Sequence, residues 1–127
     1  MRILAIDYGT VRVGLALTYG SLAEPLEVLP NDDHLLTRIK RICMENEVRT
    51  IVVGLSERKM AEKTKAWVKT LIEAINLPVE LADETLSSRE AAAYRQDRTR
   101  AEQKRPLDHW AAAIFLQHYL DSQPMAE

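Results

Sequence analysis

The chain has 127 residues, of which 46% are hydrophobic and 28% charged, and its formal net charge is −2. This length predicts one domain, which we expect to fill residues 1–127 with a core at about 2–121. The single cysteine, Cys43, excludes an internal disulfide, and we interpret it as a small core residue. No stretch approaches the ~20 apolar residues of a membrane span, and the first residues do not have a signal-peptide pattern. We therefore expect a cytoplasmic protein with no membrane partner.

The hydrophobic pattern predicts three strands at the start of the chain. Residues 3–6 form an apolar run, and residues 12–18 form a second strand. A hairpin turn joins the two, in which Gly9 is expected to supply backbone freedom. Residues 26–29, bounded by two prolines, form a candidate third strand.

The rest of the chain alternates helices with strands. Apolar residues at helical spacing, with Asn31 as the predicted N-cap, indicate a helix that reaches about Cys43. The apolar run at residues 50–55 is typical of a buried parallel strand. An opening meander followed by strand-helix-strand crossovers predicts a mixed sheet with helices on its faces. The later elements are a helix at 59–76, a strand at 78–82, a helix from Ser87 and a helix from Pro106 to about Leu120.

Acidic residues stand at the ends of three of these elements. Asp7 ends the first strand, Asp83 and Glu84 follow the strand at 78–82, and Asp108 lies in the first turn of the last helix. If the strands are parallel, their carboxyl ends share one sheet edge, where strands two apart are ~10 Å from each other. Ligands bind at this edge in open α/β sheets. Carboxylates without Cys or His neighbours select Mg²⁺ or Mn²⁺, and a pair of such ions supports phosphodiester cleavage.

Each of these acids also has a simpler interpretation. Asp7 could make a local turn hydrogen bond, and Asp83 and Glu84 could be exposed acids after a strand. Asp108 could favour the helix N-terminus through the helix dipole. The residues alone therefore indicate an acid-lined edge that could hold a metal ion.

Two basic segments lie inside this acidic chain. Residues 57–69 and residues 89–105 each carry a net charge of +3. The negative charge of the whole chain argues weakly against a nucleic-acid partner, whereas the two segments favour one. Solvated helix faces explain either segment equally well.

Four segments, in order along the chain, resemble YqgF-type proteins. They are Asp7–Ala16, Val52–Leu55, Asp83–Ala91 and Lys104–Gln117. Members of this family are nucleases assigned to Holliday junction resolution and to maturation of the 5′ end of pre-16S rRNA. The resemblance covers about residues 2 to 121. It implies an α/β, RNase H-like fold, with a five-stranded mixed sheet in the order 3-2-1-4-5 and helices on both faces.

The resemblance also implies roles for individual residues. Asp7, Glu84 and Asp108 correspond to a catalytic acidic triad that binds Mg²⁺ or Mn²⁺ in a two-metal-ion mechanism, and Asp83 is an alternative ligand to Glu84. The implied partner is nucleic acid, either branched DNA or precursor rRNA. A junction resolvase would need a homodimer to cut two strands. The residues expected to contact nucleic acid are Lys104, Arg105, Arg12 and Arg89.

The chain departs from the family pattern at three places, and two rival hypotheses stay open. Ser56–Lys59 replaces a longer loop, Thr85 stands where the family has arginine, and His109 stands where it has a small residue. The first rival is a member that binds nucleic acid without cutting it, which the retention of all three acids disfavours. The second is half of an actin- or Hsp70-type ATPase, which shares the Asp-x-Gly-Thr turn but needs several hundred residues.

Overall fold

The computed structural model describes residues 2–55, 59–83 and 107–122. Within these ranges, the side chains of residues 59–61, 83, 107–110 and 122 are not described. The helix predicted to start at Ser87 lies outside the described residues.

The centre of the fold is a single five-stranded sheet. Its strands are β1 (Arg2–Tyr8), β2 (Arg12–Tyr19), β3 (Leu22–Pro30), β4 (Val48–Leu55) and β5 (Val79–Asp83). The strand order is β3-β2-β1-β4-β5. The β1–β2 and β2–β3 pairs are antiparallel, whereas β1–β4 and β4–β5 are parallel. This arrangement confirms the predicted mixed sheet and its order.

Helices cover both faces of this sheet, as predicted. They are α1 (Leu35–Glu45), α2 (Lys59–Ala74) and α3 (Leu107–Ser122). The face of β1 that carries Leu4 and Ile6 packs against α1 and α2. The face that carries Ala5 packs against α3. No helix in the described ranges is long and apolar enough to cross a membrane.

Small residues line the contact between α3 and the sheet. Ala5 and Ala16 of the sheet and Ala112 and Ala113 of α3 are all fully buried. Because close packing fixes the distance between two elements, short side chains on both sides bring the helix near the backbone of β1 and β2. The helix is therefore held closely against β2 and β3, with fewer contacts to β1.

Gln117 connects the last part of α3 to the β2–β3 hairpin. Its Oε1 accepts a hydrogen bond of 2.9 Å from the backbone N–H of Ala23, and its Nε2 donates one of 3.2 Å to the carbonyl of Ser21. This hairpin lies at the amino end of β1, because Thr18 of β2 accepts a hydrogen bond from the backbone N–H of Ile3. The first turn of α3 therefore points towards the carboxyl end of β1.

We expect Gln117→Leu to lower the free energy of unfolding by about 1–2 kcal/mol. The variant loses two hydrogen bonds between elements, each with a net contribution of roughly 0.5–1.5 kcal/mol. Urea denaturation followed by circular dichroism measures the change. The control is His118→Leu, the same apolar substitution at the next, exposed position, which should leave stability unchanged. Equal stability of the two variants would contradict a role for Gln117 in holding α3.

The third strand is longer than predicted and contains Pro25. Proline lacks the N–H that an inner strand needs, so it is confined to edge strands and bulges. Both conditions are met, because β3 is an edge strand and its register with β2 shifts between Leu15 and Ala16. The flanking prolines were therefore poor markers of where the strand begins and ends.

Helix α1 begins later than predicted, and Asn31 is not its N-cap. The cap position is His34, which makes no side-chain capping hydrogen bond. Before it, Asp32 accepts hydrogen bonds of 2.9 Å from the backbone N–H of His34 and from Arg38. This side-chain-to-backbone turn competes with helix formation, and so the helix starts only at Leu35.

Cys43 is buried in α1, as its interpretation as a core residue predicted. It is only 5% exposed and belongs to the cluster beneath α1 and α2. Burial raises the pKa of its thiol to about 11. Because the thiolate is the reactive form of cysteine, this residue contributes packing rather than chemistry.

Candidate active site

Asp7 lies next to the last residue of β1, on the face of the sheet that α3 covers. Side chains alternate between the two faces of a strand. Asp7 therefore shares the face of Ala5, which packs against α3, whereas Tyr8 shares the face of Ile6 and packs towards α2. Asp7 is half-buried, so its carboxylate is close to the core and still reachable from solvent.

Glycines flank Asp7 on both neighbouring strands. On β2, Gly14 pairs directly with Asp7. On β4, Ile6 pairs with Val53, which places Gly54 beside Asp7 at the next position. Residues directly opposite each other on adjacent strands have close side chains, so glycine on either side leaves space next to the carboxylate. The adjacent positions on β2 and β4 therefore add no side chain next to Asp7.

A cavity of about 220 Å³ opens beside Asp7. Since one water occupies ~30 Å³ in the liquid, the cavity has room for a hydrated cation or for part of a phosphate. The charged residues Asp7 and Arg12 line it, the latter an exposed residue at the start of β2. Its lining residues are Asp7, Gly9, Val11, Arg12, Gly14 and Val28.

The turn after β1 is held by Asn31, at the end of β3. Its Nδ2 donates a hydrogen bond of 2.7 Å to the carbonyl of Gly9, and its backbone N–H donates one of 2.9 Å to the carbonyl of Val11. Gly9 is not in the left-handed conformation. It is needed for space, because a Cβ at this position would lie 2.4 Å from the carbonyl oxygen of Arg12. The expectation that Gly9 supplies backbone freedom was therefore wrong.

The carboxyl ends of β4 and β5 lie at the same edge as Asp7. Both strands run parallel to β1, as the sequence-based argument required. Gly54 pairs with Ala82 and Leu55 with Asp83, so β5 ends one residue beyond the level of Asp7. Asp83 is the last residue of β5, and Glu84 lies outside the described residues.

The two faces of β5 are distinguished by its contacts. Tyr119 of α3 donates a hydrogen bond of 2.6 Å to the carboxylate of Glu80, and Ala82 packs in the cluster under α3. Val79, at the opposite parity, packs towards α1 and α2. Partial burial and the Glu80 carboxylate raise the pKa of Tyr119 to about 12, so this hydroxyl stays protonated and keeps donating to Glu80 at neutral pH.

Asp108 lies at the second position of α3. This helix covers the face that carries Asp7, and its first turn points towards the carboxyl end of β1. Asp108 therefore lies in the helix that covers the face of Asp7, at the end opposite to Gln117. The side chain of Asp108 is not described.

Several other residues predicted for the site lie outside the described part of the chain. Of the predicted triad only Asp7 has a described side chain, and in the described ranges no group of three His, Cys, Asp or Glu side chains could hold a metal ion. Arg12 is in the cavity with Asp7. The predicted nucleic-acid contacts Arg89, Lys104 and Arg105 fall outside the described residues, as does Thr85.

Three residues of this site were not recognised as part of it from the sequence. Gly14 and Gly54 lie inside strands, where glycine often marks a bulge or a close approach, and that signal was available. Asn31 had only a local interpretation as a helix cap. Its hydrogen bond to Gly9 joins residues 22 positions apart, and no local pattern indicates such a contact.

A comparison with protein families identifies the family of this chain. The model of the RuvX family, described as Holliday junction resolvase, matches residues 1–122. This chain belongs to the RuvX family. A relative from Thermoanaerobacter pseudethanolicus, named as a candidate pre-16S rRNA nuclease, is 35% identical over 136 residues, which cover 97% of this chain and 98% of the relative. A relative of the same name from Desulforamulus reducens is 34% identical over 134 residues, covering 96% and 98%.

Solved structures agree on the fold of this RuvX-family chain. RuvC of Thermus thermophilus, in complex with a Holliday junction substrate, superposes with a TM-score of 0.67 at 18% identity, covering 96% of this chain and 94% of RuvC. The fowlpox virus resolvase, bound to Holliday junction DNA, superposes with a TM-score of 0.64 at 14% identity, covering 96% and 98%. At such low identity these likenesses show the fold, which is the RNase H-like fold predicted from the sequence.

Proposed function

We propose that this RuvX-family chain is a metal-dependent nuclease that hydrolyses phosphodiester bonds in structured nucleic acid. The observation that carries the proposal is the placement of Asp7. It is a half-buried acid, with glycines at the adjacent positions of both neighbouring strands, at the sheet edge where β4 and β5 also end. The first turn of α3, with Asp108, approaches the same face. These elements form a single nuclease domain in the proposal.

The residues fit a hard divalent cation. Asp7 offers carboxylate oxygens inside a cavity that has room for retained waters, and Mg²⁺ is typically bound by one or two carboxylates with several waters. Asp7, Glu84 and Asp108 would hold Mg²⁺ or Mn²⁺. When bound, a pair of such ions stabilises the attacking and leaving oxygens of phosphodiester hydrolysis. Asp7 would supply one negatively charged ligand on the face of the sheet that α3 covers.

The alternation of β5 favours Glu84 over Asp83 as the second acid. Glu80 and Ala82 lie on the face of β5 that α3 covers. By the alternation of side chains along a strand, Asp83 is assigned to the opposite face. The next position assigned to the face of Ala82 is Glu84. If the alternation of the strand continues for one residue, Glu84 shares the face of Asp7.

Basic residues would hold the phosphate backbone at this edge. Arg12 lines the same cavity as Asp7, so its guanidinium is suited to a phosphate next to the one that is cut. In the proposal Lys104, Arg105 and Arg89, whose segment carries a net charge of +3, extend this contact. Such contacts fix register and orientation on the nucleic acid without reading its sequence.

Two substrates follow from the family and its relatives. The family description gives Holliday junctions, and the names of the relatives give pre-16S rRNA. Each would be cut at the Asp7 edge in a cytoplasmic setting. On a junction, cleavage of two strands requires two copies of the site, so a homodimer is proposed for that substrate.

The decisive experiment offers the purified protein both substrates. A labelled four-way DNA junction and a precursor rRNA with its 5′ extension are incubated with Mn²⁺, with Mg²⁺ and with EDTA. Cleavage of either that needs the metal supports the proposal. Binding without cleavage under all conditions would overturn it in favour of the binding-only alternative.

A matched pair of variants tests the assignment of the second acid. We expect Glu84→Gln to reduce metal-dependent cleavage by about 100-fold or more, the loss typical for removal of one electrostatic contributor to a transition state. Asp83→Asn makes the same change one residue earlier and should retain most of the activity. The reverse result would assign the metal to Asp83.

A further inference from the structure

An aromatic pair lies on the other face of the same sheet edge. Tyr8, the residue after Asp7, stacks on Trp67 of α2 with ring centroids 4.5 Å apart and an interplanar angle of 23°. Both rings pack at the margin of the core, and both are half-buried rather than enclosed. The proposed chemistry at Asp7 does not use this pair.

Lys63 lies one helical turn before Trp67 on α2. Lys63 precedes Trp67 by four positions on α2, which makes the two side chains neighbours on one flank of the helix. Lys63 is exposed. It is also closer to the start of α2, and α2 follows the carboxyl end of β4 at the edge that carries Asp7. Lys63 therefore extends the aromatic pair towards this edge. We name Tyr8, Lys63 and Trp67 the Trp67 shoulder.

The segment of sequence that carries Lys63 and Trp67 is basic. Residues 57–69 carry a net charge of +3 in a chain of net charge −2. Aromatic side chains next to cations are the combination that binds unpaired nucleic-acid strands, because every base has a face that can stack and every nucleotide has a phosphate. A paired duplex does not offer its base faces to such a surface.

We propose that the Trp67 shoulder binds unpaired nucleotides of the nucleic-acid substrate, with a base against the Tyr8–Trp67 pair and a phosphate at Lys63. The inference rests on the proposed function, since it supplies the reason for a nucleic acid at this edge. Asp7 and Tyr8 are adjacent in sequence but lie on opposite faces. A strand that passes over the end of β1 therefore meets the acid on one side and the shoulder on the other, which directs cleavage to sites next to unpaired bases.

The test measures binding separately from cleavage. A fluorescein-labelled single-stranded DNA of 20 nucleotides and the corresponding duplex are titrated, without divalent metal, with the full-length protein. We expect Trp67→Leu to weaken binding of the single strand by about tenfold, within the range for loss of one stacked base, and to leave the duplex unchanged. Trp67→Phe, which keeps an aromatic ring, should retain most of the affinity. Binding should also quench tryptophan fluorescence in the parent protein, and Trp67→Phe should reduce that quenching to the part that comes from the second tryptophan, Trp110.

The lysine has its own matched control. Lys63→Ala should lower the salt dependence of single-strand binding by about one phosphate contact, a slope change of ~0.7. Lys65→Ala removes the same charge from the other flank of α2 and should change the slope less. Thermal unfolding verifies that each variant is folded.

The possible outcomes separate this inference from the proposed function. A folded Trp67→Leu variant that binds the single strand as tightly as the parent overturns the inference and makes the pair a packing contact only. So does an equal loss for Trp67→Leu and Trp67→Phe. Because the titration contains no metal and needs no cleavage, a protein that binds through the shoulder but never cuts overturns only the nuclease proposal.

Discussion

Asp7→Asn is expected to abolish metal-dependent cleavage, with a loss of about 100- to 1,000-fold or more in rate. The substitution keeps the size and shape of the side chain and removes its charge. If Asp7 binds the divalent cation, the amide is a much weaker ligand for a hard ion, and removing one electrostatic contributor to a transition state typically costs this much. Cleavage rates measured over a range of Mn²⁺ concentrations determine the loss and show whether excess metal restores activity.

The fold of the Asp7→Asn variant should be intact. Asp7 lies between Gly14 and Gly54, so no neighbouring side chain on the adjacent strands has to move. The control is Asp121→Asn, the same change at an exposed position in the last turn of α3, which should cut at the parent rate. An Asp7→Asn protein that cuts as fast as the parent would exclude Asp7 from the mechanism.

The meeting of the carboxyl ends of β1, β4 and β5 at one sheet edge could be predicted, because it follows from the order of helices and strands along the chain. A strand-helix-strand connection within one sheet favours parallel strands, and parallel strands place the ends of β1, β4 and β5 together. Asp7 and Asp83 follow from that placement. The RNase H-like strand order was supplied by the family resemblance, and the observed order is the same.

The surroundings of Asp7 were not predictable in the same way. That Gly54 lies beside Asp7 depends on the register between two strands 47 positions apart, and a shift of one residue would reverse the face of every side chain. The role of Asn31 depends on a contact between separate turns, whereas sequence rules for caps are local. Tertiary contacts therefore decided the features that make Asp7 accessible.

The helix that carries Asp108 illustrates a further limit. The segment Ala111–Leu116 is apolar at every position, so helical periodicity does not identify the side that meets the sheet. The contacts of Gln117 and Tyr119 show where the last part of the helix lies on the sheet. Both are polar residues near the end of the helix, and neither has a sequence pattern that names its partner.

Gly9→Ala is expected to lower both stability and activity. Its new Cβ would lie 2.4 Å from the carbonyl oxygen of Arg12, a backbone atom that cannot rotate away. The turn must then shift, at a cost of about 1–3 kcal/mol, as for other overpacked positions. Asp7 precedes Gly9 by two residues, and Asn31 donates a hydrogen bond to the carbonyl of Gly9. A shift of this turn should therefore displace the carboxylate of Asp7 and reduce the cleavage rate of the folded protein.

Gly20→Ala separates these two effects. Gly20 has a φ of +64° and no atom near its would-be Cβ, so alanine there is disfavoured by its left-handed backbone alone, by about 1–2 kcal/mol. Gly20 lies in the β2–β3 hairpin, at the sheet edge opposite Asp7. The two variants should therefore lose similar stability in urea denaturation, but only Gly9→Ala should lose cleavage activity at a temperature where both remain folded. Equal activity of the two would mean that the turn after β1 does not position Asp7.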